Sequence, residues 1–302
     1  MSITIWTNAH FAEEPRAALI EGAKPHRLIF STQLSASNLA KAAPDPAMQE
    51  ADAAFGQPDP DFALQCPRLR WIHLTTAGYT RYDGAAFRQA FGGRGAVLTN
   101  SSLVYNEPCA EHVLAFMMAN ARQLMPSLDS QRTDRAWPTL ERRAATSLLL
   151  GQSVVLLGFG AIGHRLAELL APFRVKITAV RRRPAGDENV TVVTEDKLLE
   201  ALATADHVVN ILPENPATVG YVHAARLAAT KPGAIFYNVG RWYYRGSGRA
   251  AGGTAIGALR RGVSRRHRSG TAAAGASAVV GAELLYYAAR GRGPQNGAGA
   301  VG

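Results

Sequence analysis

The stretch "LLGFGAIG" carries the most legible chemistry in the chain. Gly158, Gly160 and Gly163 have GxGxxG spacing, with Phe159, Ala161 and Ile162 between them. The motif closes an apolar run, "SVVLLG", and opens a helical pattern, "AIGHRLAELLAPF", which leads to a second strand-like run, "KITAV". A bare GxGxxG is weak, but one set inside a βαβ unit is specific for binding the pyrophosphate of a dinucleotide. The first glycine allows a tight turn, the second lets the backbone approach the pyrophosphate, and the third lets helix and strand pack closely. Free N–H groups and the positive dipole end of the helix then face the phosphates. The alternative is a glycine-rich turn in a core without a ligand.

The end of the second strand reports which dinucleotide is favoured. An NAD site usually places Asp or Glu about 20 residues after the first glycines, bonded to the ribose 2′-hydroxyl. Here Val180 is followed by Arg181, Arg182 and Arg183, and the first acids, Asp187 and Glu188, come only after Pro184. A guanidinium pairs with a 2′-phosphate through its planar fork, where a carboxylate would repel it. The expectation is therefore NADP(H) in preference to NAD(H), with a solvated basic turn as the alternative. Downstream, "ILPENPATVGYV" and "KPGAIFYNVGR" are buried-strand runs ending in small or polar residues. Ligands of open α/β sheets lie beyond the carboxyl ends of strands, which singles out Leu212, Pro213, Thr218, Val239 and Gly240 for the cofactor. Arg241 could clamp a substrate carboxylate, or form a salt bridge to a neighbouring helix.

The elements that must position these residues alternate along the chain. Strand-length apolar runs such as "ITIWT", "HRLIFS" and "LRWIHLTTAG" are separated by helix-length stretches, the pattern of βα units and a parallel sheet. "NEPCAEHVLAFMMANARQL" (106–124) has helical spacing with Pro108 in its first turn, and reads as a long helix leading into a second domain. The expected organisation is α/β throughout, with doubly wound parallel sheets in a substrate domain at 1–103, an incomplete Rossmann domain at 104–241 and a tail at 242–302. No apolar run is long enough to span a bilayer, no secretory signal is evident at the N-terminus, and Cys66 and Cys109 lack metal-like spacing. A cytoplasmic protein with two bland buried thiols is expected.

Taken together, "LLGFGAIG", "ILPENPATVGYV", "KPGAIFYNVGR", "LRWIHLTTAGYTRY" and "NEPCAEHVLA" make the chain resemble the D-isomer-specific 2-hydroxyacid dehydrogenases, over roughly residues 3–241. The glyoxylate and hydroxypyruvate reductase branch is the closest in pattern. The resemblance implies a flavodoxin-like substrate lobe, a Rossmann lobe inserted into it and an active site in the cleft between them. It implies that backbone N–H groups around Ala77 and Gly78, in "TTAGY", bind the carboxylate of a small 2-oxo or 2-hydroxy acid, and that Arg241 orients and polarises the 2-oxo acid. A homodimer formed through the region 106–137 is also implied. The family further needs a histidine to protonate the carbonyl oxygen and a glutamate to hold that histidine. Neither motif is present. Seven of the eight histidines precede Arg241, and His267 lies alone among arginines.

After Arg241 the chain changes character. Residues 242–302 hold nine Arg, no Lys and one acid, Glu283, which gives +8 of the net +10. So few aliphatic residues accompany that charge that the segment is not expected to order on its own. A one-base shift makes the segment intelligible. The codon of Trp242 is fixed, and shifted by one base it reads Gly, so "RW" becomes "RG". The same offset lets 264–273 read "LDVTDPEPLP" and 286–294 read "ITPHVAGGH". The missing glutamate then spans the slot of Gly270 and the missing histidine that of Ala289. As written, the chain should be a poor catalyst. Its last strand, "AIFYNV", is expected to be left as an open sheet edge, with low solubility following. Two alternatives take the tail at face value: a non-catalytic NADP-binding protein, and an RGG-like nucleic-acid-binding arm. The aromatics are clustered at two points without regular interleaving among the arginines, so no nucleic-acid partner is expected, and no membrane partner either.

Overall fold

A computed structural model describes residues 2–33, 42–186 and 188–240, together with the backbone of 255–258. The chain divides into two units, Met1–Asn106 and Glu107–Gly302. The first is a five-stranded parallel sheet of β1 (Thr4–Thr7), β2 (Arg27–Phe30), β3 (Ala53–Gly56), β4 (Trp71–Leu74) and β5 (Val97–Asn100), in the order β2-β1-β3-β4-β5. That is the flavodoxin-like order, whose reversal lies between β1 and β3. The connecting helices are α1 (Glu13–Gly22), α2 (Pro60–Leu64) and α3 (Ala85–Gly93). Trp6, Ala54, Ile72 and Leu74 belong to one buried cluster with Phe87 and Phe91 of α3. Each large apolar side chain so buried contributes roughly 1.5–3 kcal/mol. Helix α2 starts where it does because Asp59 accepts the N–H of Phe62 at 2.8 Å and Pro60 presets the first turn.

The second unit opens with α4 (Asn106–Ala121), which ends before the left-handed Gln123, φ 54°. Helices α5 (Leu124–Arg132) and α6 (Thr139–Ala145) follow, and the single helix expected over 106–124 therefore breaks at Gln123. The sheet comprises β6 (Ser153–Leu157), β7 (Lys176–Val180), β8 (Thr191–Val193), β9 (His207–Asn210), β10 (Ile235–Asn238) and β11 (Ala255–Ala258), with α7 (Ala161–Leu170), α8 (Leu198–Thr204) and α9 (Ala224–Ala228) between them. Strand order is β11-β10-β9-β6-β7-β8, parallel from β8 to β10, which is the Rossmann arrangement with its reversal beside β6. Val154 and Leu156 bury one face of β6 in a cluster with Leu166 and Leu170, while Val155 and Leu157 bury the other against Leu198 and Leu202. A parallel strand covered on both faces reads as a continuous apolar run for this reason.

One expectation is overturned at the sheet edge. Strand β10 is not left open, because Ala255–Ala258 pairs with it antiparallel in the register Ile235↔Ala258 to Asn238↔Ala255. The short run "AIGA" is one of the few stretches beyond Arg241 free of arginine, and its backbone satisfies the N–H and C=O groups that an edge would otherwise expose. Cys66 is buried as expected, whereas Cys109 on α4 is only partly so. Among the described residues no helix is long and apolar enough to cross a membrane.

Candidate functional site

The βαβ turn is built as its glycines require. Gly158 takes φ +93°, a conformation open to glycine but strained for other residues, directly after the last residue of β6. Gly163 sits so close to the buried Phe159 that a Cβ there would lie 3.0 Å from the ring. Gly160 differs from both: it has an extended backbone, φ −100°, and a Cβ on it would meet no protein atom within 4 Å. Nothing in the protein's own packing demands glycine there, so the space is left for something else. Gly160 also caps α7 without a side chain, and the first helical bond runs from the His164 N–H to the Gly160 carbonyl at 3.0 Å. The N–H groups of Ala161, Ile162 and Gly163 therefore point out of the helix end with no intrahelical acceptor, as an anion site needs.

Around this turn lies a groove of about 800 Å³, lined by Gly158, Phe159, Gly160, Arg181, Arg182, Arg183, Leu212, Thr218 and several residues that the sequence did not single out. The arginines enter it from the end of β7 but are not equivalent. Arg181 is ion-paired with Glu188, whose side chain is only 2% exposed. The Glu188 carboxylate also accepts the N–H groups of Ala185 at 2.7 Å and Gly186 at 2.8 Å. Those backbone donors first, and Arg181 with them, hold it down at about 2 on the pKa scale. The chain thus folds back after Pro184 and brings Glu188 onto the first arginine. Arg182 and Arg183 are exposed and have no ion pair among the described residues.

The other strand ends close the groove from below. Thr218 donates its hydroxyl to the Pro213 carbonyl and accepts the Asn215 N–H at 2.9 Å, so it folds the 213–218 loop as well as lining the groove. Leu212 is held by the Asn210 side chain at 3.3 Å, and Asn210 is paired with Asn238 at 2.8 Å in a buried amide contact joining β9 to β10. Val239 and Gly240 both donate to the Asn210 carbonyl, at 3.1 and 3.0 Å. A Cβ on Gly240 would lie 2.5 Å from the Leu212 carbonyl oxygen, so only glycine fits. These two residues support Leu212 and do not line the groove. Arg241 lies outside the described residues.

In the first unit the "TTAGY" loop follows β4. Its carbonyls are committed: Thr75 accepts the Tyr105 hydroxyl at 2.7 Å, Ala77 the Asn100 amide at 2.8 Å and Gly78 the Thr76 hydroxyl at 2.8 Å. The N–H groups of Ala77 and Gly78 donate to nothing among the described residues. Two neighbouring backbone donors left open in this way suit an anion. The described histidines do not supply an acid–base pair. His73 bonds Thr99 and Ser101, and the buried His207 bonds Tyr237 and Gln152. No histidine is hydrogen-bonded to a carboxylate, and no three metal-ligating side chains converge, among the described residues.

Residues 114–242 match the family profile described as D-isomer specific 2-hydroxyacid dehydrogenase, NAD binding domain. Over this segment the chain is similar to the NAD-binding domain of the D-isomer specific 2-hydroxyacid dehydrogenase family. The chain is 29% identical to D-3-phosphoglycerate dehydrogenase of Mycobacterium bovis over 205 residues, covering 65% of this chain and 37% of that protein. It is 27% identical to glyoxylate/hydroxypyruvate reductase B of Pectobacterium carotovorum over 202 residues, 65% of this chain and 62% of that one. It therefore spans less than two thirds of either relative. A crystal structure of a D-isomer specific 2-hydroxyacid dehydrogenase family protein from Aeromonas salmonicida superposes with a TM-score of 0.63 at 25% identity, covering 80% of this chain and 74% of that one. The GxGxxG turn, the arginine-rimmed groove and the Leu212 loop all fall inside the matched NAD-binding segment.

Proposed function

We propose that the chain is an oxidoreductase of the glyoxylate/hydroxypyruvate reductase type, reducing a small 2-oxo acid to the D-2-hydroxy acid with NADP(H) in preference to NAD(H). The observation that carries the reading is the open helix end at Ala161–Gly163, set in a groove where Arg182 and Arg183 have no ion-pair partner among the described residues. Four arginines and one acid line the groove, and Glu188 neutralises Arg181 beside it. The surplus is positive, as a cofactor with an extra phosphate requires. When bound, the reduced nicotinamide supplies the hydride to the carbonyl carbon. The residues of the chain bind and orient: Phe159, Ala161 and Ile162 with the three glycines hold the pyrophosphate, Leu212, Pro213 and Thr218 form the floor with Val239 and Gly240 supporting Leu212 behind it, the amides of Ala77 and Gly78 take the substrate carboxylate, and Arg241 polarises the carbonyl.

The proton for the carbonyl oxygen has no donor in the sequence as written, so the literal chain binds cofactor and turns over slowly. We read the segment after Arg241 as translated one base out of register. Resequencing codons 236–250 tests this, and a gene without an extra base there would mark the tail as an error. Exposed Leu124, Leu128, Trp137 and Leu140 on and beside α5 and α6 support pairing of two copies through this segment. A calorimetric titration tests the cofactor assignment. NADPH should bind the 302-residue chain at least tenfold more tightly than NADH, and binding of neither would refute the reading.

A further inference from the structure

Three residues of the groove wall have no part in holding the pyrophosphate: Glu195 in the turn after β8, Tyr221 in the loop after β9, and Arg226 on α9. Their side chains form one unit. The Glu195 carboxylate accepts the Tyr221 hydroxyl on Oε2 and Arg226 on Oε1. A second guanidinium nitrogen donates to the Tyr221 carbonyl at 2.8 Å. The guanidinium lies over the Tyr221 ring, 4.0 Å from its centroid. It is thereby pinned along its edge and covered on one face, and only 22% of the Arg226 side chain is exposed. Donors committed to Glu195 and a carbonyl, together with the charge offset by Glu195, make the group a weaker clamp for a phosphate than Arg182 or Arg183. What the group still offers is the planar face turned away from Tyr221.

We infer that this face is a shelf on which the adenine ring of the dinucleotide stacks, with Glu195 as the positioning residue that keeps the shelf flat. The inference rests on the dinucleotide reading of the groove. A base stacks on a guanidinium plane as on an aromatic ring, and the layering Tyr221, Arg226, adenine uses both faces of one cation. The position of the wall suits this role, because it borders the same groove as the glycine turn and the β7 arginines while contributing no backbone amide to the helix end.

Calorimetric titration of the full chain with ADP and, separately, with inorganic pyrophosphate separates base from phosphate. Arg226→Lys keeps the charge and loses the plane, whereas Arg226→Ala loses both. Both variants should bind ADP about tenfold more weakly and pyrophosphate within twofold of the parent. Glu195→Ala should lose as much as Arg226→Ala, and Glu195→Gln, whose amide oxygen still accepts Arg226 while its NH2 group donates to the Tyr221 hydroxyl, should stay within threefold. Arg226→Lys with parental ADP affinity would overturn the shelf in favour of a point charge. So would a parallel fall in pyrophosphate affinity, which would make Arg226 a phosphate contact. If the unaltered chain bound neither probe, the dinucleotide reading itself would fall, a result distinct from either of these.

Discussion

Substituting the three glycines of the turn should separate the demands of the fold from those of the ligand. Gly160→Ala adds a methyl group that meets no protein atom within 4 Å, on a backbone already at φ −100°. No strain or clash follows, and the loss of glycine's freedom in the unfolded chain favours folding by roughly 0.4–1 kcal/mol. The methyl does occupy the space before the α7 amides, so a pyrophosphate must back away or tilt. Taking that as an overpacked contact costs roughly 1–3 kcal/mol, which is about fivefold to more than a hundredfold in Kd. Gly163→Ala behaves in the opposite sense: its Cβ would lie 3.0 Å from the Phe159 ring, so helix and strand must separate at a cost of roughly 1–3 kcal/mol of stability. Gly158→Ala is strained by φ +93° and lies 3.2 Å from Leu212, and should cost at least about 1 kcal/mol. Urea unfolding gives the stabilities and NADPH calorimetry the affinities. A Gly160→Ala protein that binds NADPH within twofold of the parent, or that is destabilised as much as Gly163→Ala, would refute the reasoning.

Other consequences follow from named contacts. Arg182→Ala should weaken NADPH by roughly 1.5–3 kcal/mol, the value of a charge-assisted bond, and leave NADH within twofold, as competitive titration will show. His207 is 2% exposed, and burial first of all lowers its pKa to about 4 from 6.5. The unfolded chain therefore takes up a proton that the folded one refuses. Stability is fully present above pH 6.5 and is lost by up to about 3 kcal/mol as pH falls towards 4, a slope that His207→Gln should flatten in pH-dependent melts. Leu140→Asp places a charge on an exposed apolar side chain and should leave the melting temperature unchanged. In sedimentation it should shift the chain towards monomer.

How much of this the sequence disclosed depends on how local each cause is. Gly158 and Gly163 were legible because a turn and a close helix–strand contact act through residues a few positions away. The parallel sheets followed from the alternation of apolar runs with helix-length stretches, since parallel strands need long crossovers. Glu188 was not legible as a partner of Arg181. Seven positions and a Pro184–Ala185–Gly186 turn separate them, and the bond depends on that turn folding back. Glu195, Tyr221 and Arg226 were missed because they come from three segments, with Glu195 lying 26 and 31 positions from its two partners. No local pattern marks such a triad. The pairing of Ala255–Ala258 with β10 ran against composition, because an edge strand draws on backbone groups that any residue carries.

The proposed reductase, with its acid–base pair displaced from the reading frame after Arg241, is open to a direct assay. NADPH oxidation with hydroxypyruvate, followed at 340 nm, compares the 302-residue chain with the product of the same gene lacking one base after codon 241. Both should bind NADPH, and the restored protein should turn over at least about a hundredfold faster, the loss expected when a positioned general acid is absent. Equal turnover by the two proteins, or no turnover by the restored one, would contradict the account.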